Sequence, residues 1–213
     1  NRSGDVKKLA PRTELNRIGM KISNNAYYAD VYGIAMDFDE QTLANEDAVL
    51  EIRSAGAETL VTRCLIEREQ QFASSFFSAG VWTTDVTPAN LWSDYTNSTP
   101  ISDVTTGRRT MQLLSGGMKP NTMVIGKEVR DVLINHPDVL ARLNGGATVT
   151  NTALITDAKL AEIFEVENFF VMEAVANTAA EGLAESNAFI GGKNALLVHT
   201  PRASGLMTPA AGL

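Results

Sequence analysis

Residues 45–78 read NEDAVLEIRSAGAETLVTRCLIEREQQFASSFFS, and the fold turns on how this stretch is read. It contains no Pro, and its one Gly is Gly56. Val49, Ile52, Gly56, Leu60 and Cys64 recur at spacings of three and four, and Val61, Leu65, Phe72 and Phe76 form a neighbouring row. That period predicts a single helix with a broad apolar face. Asn45 is the expected N-cap, with Glu46 and Asp47 in the first turn where the helix dipole favours negative charge. Arg63, Glu67 and Gln71 mark a more polar side at i,i+4 spacing. Cys64 falls on the apolar side and is expected to be a small core residue rather than a nucleophile. Such a helix spans about 50 Å, more than a compact domain of this size holds. An elongated molecule, or a backbone shared with neighbouring subunits, follows. Strict heptads do not persist, which disfavours a coiled coil.

The rest of the chain has the means for a real core. It has 213 residues, 44% hydrophobic and 20% charged, enough for one large or two small domains. Its 25 acidic against 18 basic side chains leave a net charge of −7. An acidic chain is poorly suited to gripping a phosphate backbone. No apolar run reaches the roughly 18 residues of a membrane span. One Cys cannot make an internal disulfide, which fits a reducing compartment. Asn1 to Pro11 are polar and charged and do not read as a signal peptide. The chain starts at Asn1 and stops at Leu213 without a closing element, so trimming and a missing C-terminal piece are expected.

Upstream of the long helix, residues 1–18 carry Arg2, Lys7, Lys8, Arg12 and Arg17 against only Asp5 and Glu14, with few apolar residues, and read as an arm or extended loop. Ile22, Tyr27, Tyr28, Val31, Tyr32 and Ile34 predict two short strands joined by a turn at Ser23–Asn25. Downstream, 80–100 reads as a loop rich in Pro, Asn and Ser, with Trp82, Trp92 and Tyr95 pinning it to the body. A helix is expected from Ile101 to Gly117, capped by Ser102 or Asp103 and stopped by Gly116 and Gly117. Thr122–Ile125 is a short strand, and Lys127–Asn135 and Pro137–Leu143 are helices. Thr156 or Asp157 caps another helix ending at Phe164. Phe169–Val175 reads as a buried strand, with Glu173 in its middle. Residues 177–186 form a loop or hairpin, and 189–199 a strand region bent at Gly191 and Gly192. Helices and strands mix without regular βαβ alternation, so the fold class is α+β.

No reaction centre converges in this pattern. His136 and His199 lie far apart, and His136 before Pro137 reads as a helix-entry residue. Gly191-Gly192-Lys193 lacks the first Gly of a phosphate loop, and Asn194 stands where Ser or Thr would hold Mg²⁺. Glu162, Glu165 and Glu167 read as a solvated face. No catalytic, metal or cofactor-binding residue is assigned.

The segment Pro120-Asn121-Thr122-Met123-Val124-Ile125-Gly126, followed by Val129, Leu133, His136-Pro137 and Arg142, resembles one found in tailed-phage major capsid proteins. Leu160–Phe164 with the strand to Val175, Asn177, Ala179 and Gly182, and Ile190–Val198 with Pro201 are similar to that family's later elements, in order. Upstream, Tyr28–Gly33 and Ala44-Asn45 fit as well. The resemblance implies the Hong Kong 97-like capsid fold. Residues 1–34 would be the extended loop, 35–117 a peripheral domain with residues 45–78 as its spine helix, 118–200 an axial domain, and 201–213 the start of a return to the peripheral domain. It implies a structural, non-enzymatic subunit that assembles into pentamers and hexamers of an icosahedral head around double-stranded DNA. Such a subunit is built in the host bacterial cytoplasm and resides in the virion, without a membrane. Scaffold, portal and decoration proteins are the further partners it implies. Lys7, Lys8, Arg12, Arg17, Tyr27 and Tyr28, in the loop, are the subunit-interface candidates. A nanocompartment shell of the same fold, and an enzyme joining His136 or His199 to the Glu162–Glu167 group, are the rival readings.

Overall fold

The computed structural model describes residues 6, 8–9, 11–12, 14–15, 17, 26, 28–45, 51–82, 84–143, 155–180, 182–203 and 211–212. Contacts divide the chain into two units, Asn1–Ala35 and Met36–Leu213. The described residues of the first unit form no helix or strand. The expected strand through Val31, Tyr32 and Ile34 is therefore absent, and these side chains are exposed. Strand propensity measures fit to a half-buried pleated surface, and these residues have no pairing strand among the described residues. Ile22, Tyr27 and the turn at Ser23–Asn25 lie outside the described residues.

The second unit begins with α1 (Glu40–Ala44) and α2 (Ile52–Phe76). The long helix thus starts later than the periodicity predicts. Asn45 does not open it but closes α1, with its side-chain Nδ2 donating to the Gln41 carbonyl at 2.9 Å. A short amide bonding back to the preceding turn competes with helix continuation. The first helical carbonyl of α2 is that of Glu51, a left-handed residue at φ 34° that accepts from Ser54 and Ala55. Glu46 and Asp47 lie outside the described residues. The 25 residues of α2 span about 37 Å.

Next come α3 (Pro100–Ser115), β1 (Thr122–Gly126), α4 (Lys127–Ile134), α5 (Pro137–Leu143) and α6 (Asp157–Ile163). Then follow β2 (Asn168–Met172), β3 (Val175–Asn177), β4 (Asn187–Phe189), β5 (Ala195–His199) and β6 (Ala211–Gly212). Helix α3 is capped at Thr99 rather than Ser102 or Asp103, and Pro100 occupies its first turn. Pro is favoured there because its fixed φ suits the helix and its missing N–H would be unpaired anyway. Gly116 ends α3 in the left-handed conformation, as expected, at φ 74°.

The main sheet has the order β2-β1-β5-β6. Strand β1 runs parallel to β2 and antiparallel to β5, so the class is α+β with one crossover built from α4 to α6. Every residue of β1 is buried, because both faces of the sheet are covered. Met123 and Ile125 face one side, against Val129, Leu133, Val139, Leu160 and Phe164. Val124 faces the other, with Met172, Leu196 and Phe77. That split follows the two-residue period of a strand. Leu133, Val139 and Leu160 are fully buried and contribute about 1.5–3 kcal/mol each. Strand β2 is an edge strand and alternates exposed with half-buried residues, so it is not the buried strand expected. It ends at Met172. Glu173 falls after it and pairs with Lys127 at 3.0 Å.

Both ends of β1 are fixed. At the start, the Asn121 side chain donates to the Thr200 carbonyl at 2.7 Å and accepts from the Thr200 N–H at 2.9 Å. Its own carbonyl accepts from Glu167 and Asn168, at the entry to β2. At the finish, Gly126 lies against the backbone of Gly191 and Gly192. A Cβ on Gly126 would overlap the Gly192 carbonyl oxygen, and one on Gly191 would lie 2.8 Å from Met172 Cβ. The obstacle at Gly126 is backbone and cannot rotate away. Gly126→Ala is expected to lower the unfolding free energy by about 2–3 kcal/mol in urea denaturation. Gly33→Ala, with no atom within 4 Å of its Cβ, should change it by less than about 0.5 kcal/mol. Equal midpoints for the two variants would contradict this packing.

Candidate functional site

Helix α2 is held most closely at its ends; between them Leu60 and Ile66 are half-buried and most other side chains are exposed. Near its start, Gly56 is the one buried residue, covered by the Phe38 ring. At its finish, Phe77 enters the second face of the sheet with Ala73 and Trp82 beside it. Trp82 Nε1 donates to the Phe76 carbonyl at 2.7 Å, and Asn194 Nδ2 to that of Phe77 at 3.1 Å. These bonds satisfy carbonyls that a helix end leaves without intrahelical partners.

Along the middle, the second of the two apolar rows read from the sequence faces outward, whereas Ile52 and Leu60 of the first are half-buried. Val61 and Leu65 are each more than half exposed, and Phe72 and Phe76 are also exposed. Phe72, Phe76 and Trp82 continue as a chain of ring contacts at 5.6 and 6.3 Å. Cys64 is exposed too, which corrects its expected place in the core. Periodicity identifies a face; only a neighbouring element can bury it. Glu67 accepts from Gln71 at 3.2 Å, whereas Arg63 makes no ion pair with Glu67 among the described residues. A base placed N-terminal to an acid is the weaker order for such a pair.

Of the interface candidates, Lys7 and Tyr27 lie outside the described residues. Lys8, Arg12, Arg17 and Tyr28 are exposed. Arg17 pairs with Glu14 at 2.7 Å, a surface pair that contributes little to stability. Arg12 sits in a turn at φ 69°.

Residues considered for catalysis are occupied in separate places. His136 is 1% exposed and caps α5: its Nδ1 accepts from the Asp138 N–H at 3.1 Å. Its Nε2 lies 2.9 Å from Ser98 Oγ, which donates to the Asp94 carbonyl at 2.6 Å. With Nδ1 accepting, the proton sits on Nε2 and the ring is neutral. Burial holds its pKa below the ordinary histidine value, against the opposing charge of Asp138. His199 Nδ1 donates instead to the Lys119 carbonyl at 2.7 Å. Glu165 pairs with Arg108 at 2.7 Å, and Glu167 with Arg202 at 3.7 Å. The Arg108 hydrogen bond and charge, then Lys119 and Arg142, keep the Glu165 carboxyl below its usual range. Among the described residues, no group of three His, Cys, Asp or Glu is placed to hold a metal ion. Trp92 Nε1 donates to Asp103 at 2.9 Å, so both tryptophans pin the loop as expected.

One feature of the surface escaped the sequence reading. Ser102, Thr105, Thr106 and Arg109 of α3 face Asp138, Ala141 and Arg142 of α5 across an open cavity of about 610 Å³. The spacing of the α3 residues on one helical face was readable; their meeting with α5 was not.

The sequence profile of the family described as phage major capsid protein E matches residues 81–211, more than half of the chain. The chain belongs to this family of structural phage capsid proteins, which places it in the virion. Its fold is similar to the crystal structure of a phage-related protein from Bordetella bronchiseptica RB50. The two are 17% identical with a TM-score of 0.59, over 78% of this chain and 53% of that one. The chain therefore spans about half the length of that relative. No curated protein matches it. Among the described residues, no helix is long and apolar enough to cross a membrane.

The depressed pKa of His136 sets a pH dependence. Between the unfolded value, near 6.5, and the lower folded value, the unfolded chain binds a proton that the folded chain does not. The contribution is complete above about pH 6.5 and is lost as pH falls through that window. Urea midpoints of the wild type should therefore fall more steeply from about pH 7 to about pH 5.5 than those of His136→Asn. Parallel pH profiles would contradict the neutral, buried ring.

Proposed function

We propose that this chain is the shell-forming subunit of an icosahedral phage head. In this reading it has the Hong Kong 97-like fold and assembles as pentamers and hexamers around double-stranded DNA. The observation that carries the reading is the family match over residues 81–211, which spans α3 and the main sheet up to the start of β6. Helix α2 supports it from outside that match, as a long element whose apolar row is exposed in the single chain. In a shell, other copies cover such a surface, and many modest contacts add up through multivalency. Residues 1–34 act as the extended loop, 35–117 as the peripheral domain, 118–200 as the axial domain and 201–213 as the start of the return. Lys7, Lys8, Arg12 and Arg17 meet acidic surface on a neighbour, and Tyr27 and Tyr28 belong to the same subunit interface. The net charge of −7 suits a container that encloses DNA without gripping it. Scaffold, portal and decoration proteins are the partners such a head recruits, and assembly takes place in the host bacterial cytoplasm.

Expression of the full-length chain with its scaffold, followed by electron microscopy and measurement of nuclease-protected nucleic acid, tests this. Closed shells or five- and six-membered rings are expected. Reversing the charges of Lys7, Lys8, Arg12 and Arg17 should reduce shell yield and leave the subunit's circular dichroism unchanged. A subunit that remains a monomer or dimer would overturn the reading, and shells filled with protein rather than DNA would favour a nanocompartment.

A further inference from the structure

We propose that the groove between α3 and α5 receives acidic side chains from a second copy of this chain; the inference rests on the shell reading above. The groove is lined by Ser102, Thr105, Thr106 and Arg109 on one wall and Asp138, Ala141 and Arg142 on the other, around about 610 Å³. Its volume has room for several side chains from outside. The α3 residues recur at spacings of three and four, so they form one face.

The charges in and beside this groove are not balanced from within. Arg108, next to Arg109 in sequence, is matched by Glu165. The carboxylate of Asp138 is engaged with the start of α3, accepting from the Ile101 N–H at 3.4 Å. Thr105 bonds back to the Ile101 carbonyl at 2.7 Å. Arg109, by contrast, makes no hydrogen bond or ion pair among the described residues, and neither do the hydroxyls of Ser102 and Thr106. Arg142 makes no direct bond either and is coupled only through space to Glu165. Two guanidiniums with two uncommitted hydroxyls form a receptor for a carboxylate, which a planar guanidinium matches with paired N–H donors.

A phosphodiester chain offers the same type of anion but fits the groove less well. Duplex DNA presents a charge about every 1.7 Å along its axis and calls for an extended basic track. Here two guanidiniums share a short groove with the carboxylate of Asp138. Carboxylates are the anions that this chain itself carries in excess, 25 against 18 basic groups. Charges complementary between copies fix register and exclude wrong neighbours.

Two experiments on the full-length chain test the inference. In the first, Arg109→Lys subunits are assembled from an equal mixture of ¹⁵N-labelled and unlabelled protein. A carbodiimide, which joins amines to carboxylates, is applied, and the peptides are read by mass spectrometry. Mixed-label links between position 109 and an Asp or Glu are expected; links confined to one label, or none, would overturn the inference. In the second, Arg109→Glu/Arg142→Glu should keep native circular dichroism while shell yield drops about tenfold or more. Normal shells from the double variant would overturn this inference alone, and so would normal shells with loss of binding to a short oligonucleotide. Wild-type protein that forms no shells would overturn the shell reading and this inference with it.

Discussion

Asn121 holds three strand ends together through its side chain and its backbone. Its side-chain amide bonds both backbone polar groups of Thr200 beyond β5, and its backbone carbonyl takes the N–H groups of Glu167 and Asn168 at the entry to β2. No other uncharged side chain of that length offers a donor and an acceptor side by side. Strand β1 therefore begins with its parallel and antiparallel neighbours already in register. At the far end, Gly126 and Gly191 let two backbones touch, which fixes where β1 stops and α4 begins. Between these points five buried residues divide the core, and α4 to α6 cover one face while the end of α2 covers the other.

That division explains the exposed helix. The sheet needs only Ala73, Phe77 and Trp82 to close its second face. The rest of α2 is left with Gly56 beneath Phe38 and a row of apolar side chains in water. An apolar row that no described residue covers marks a surface suited to contact with another protein. The same logic applies to α3, whose inner face fills the core through Ile101, Val104 and Met111 while its Ser102, Thr106 and Arg109 line the groove.

The elements of residues 120–143 were legible in the sequence because their signals are local. An apolar run sits between Pro120-Asn121 and Gly126, and the next apolar residues recur with helical period. His136-Pro137 marks a helix entry, and the structure shows why: the imidazole caps α5 and reaches back to Ser98. Other elements depended on geometry that spacing does not carry. Pro100 was read as a breaker in a loop, yet it opens α3. Val49 and Ile52 share a helical spacing, but Asn45 closes a separate short helix before them. Cys64 and Leu65 match the period of a buried face, although both are exposed and no element among the described residues covers them. The candidate surface was legible only in part: the apolar row of α2 is written in one segment, whereas the α3–α5 groove joins residues from segments the fold brings together.

If copies of this chain form a shell, the middle of α2 passes from solvent into contact with protein on assembly. Cys64 is the chain's single Cys and is exposed there, so its thiol reports on that step. The most direct measurement is the rate at which a maleimide labels Cys64 in unassembled subunits and in purified particles at the same pH. Rapid labelling of subunits and strong protection in particles is the result expected. Equal rates in both states would contradict the assignment of α2 as a surface that assembly covers.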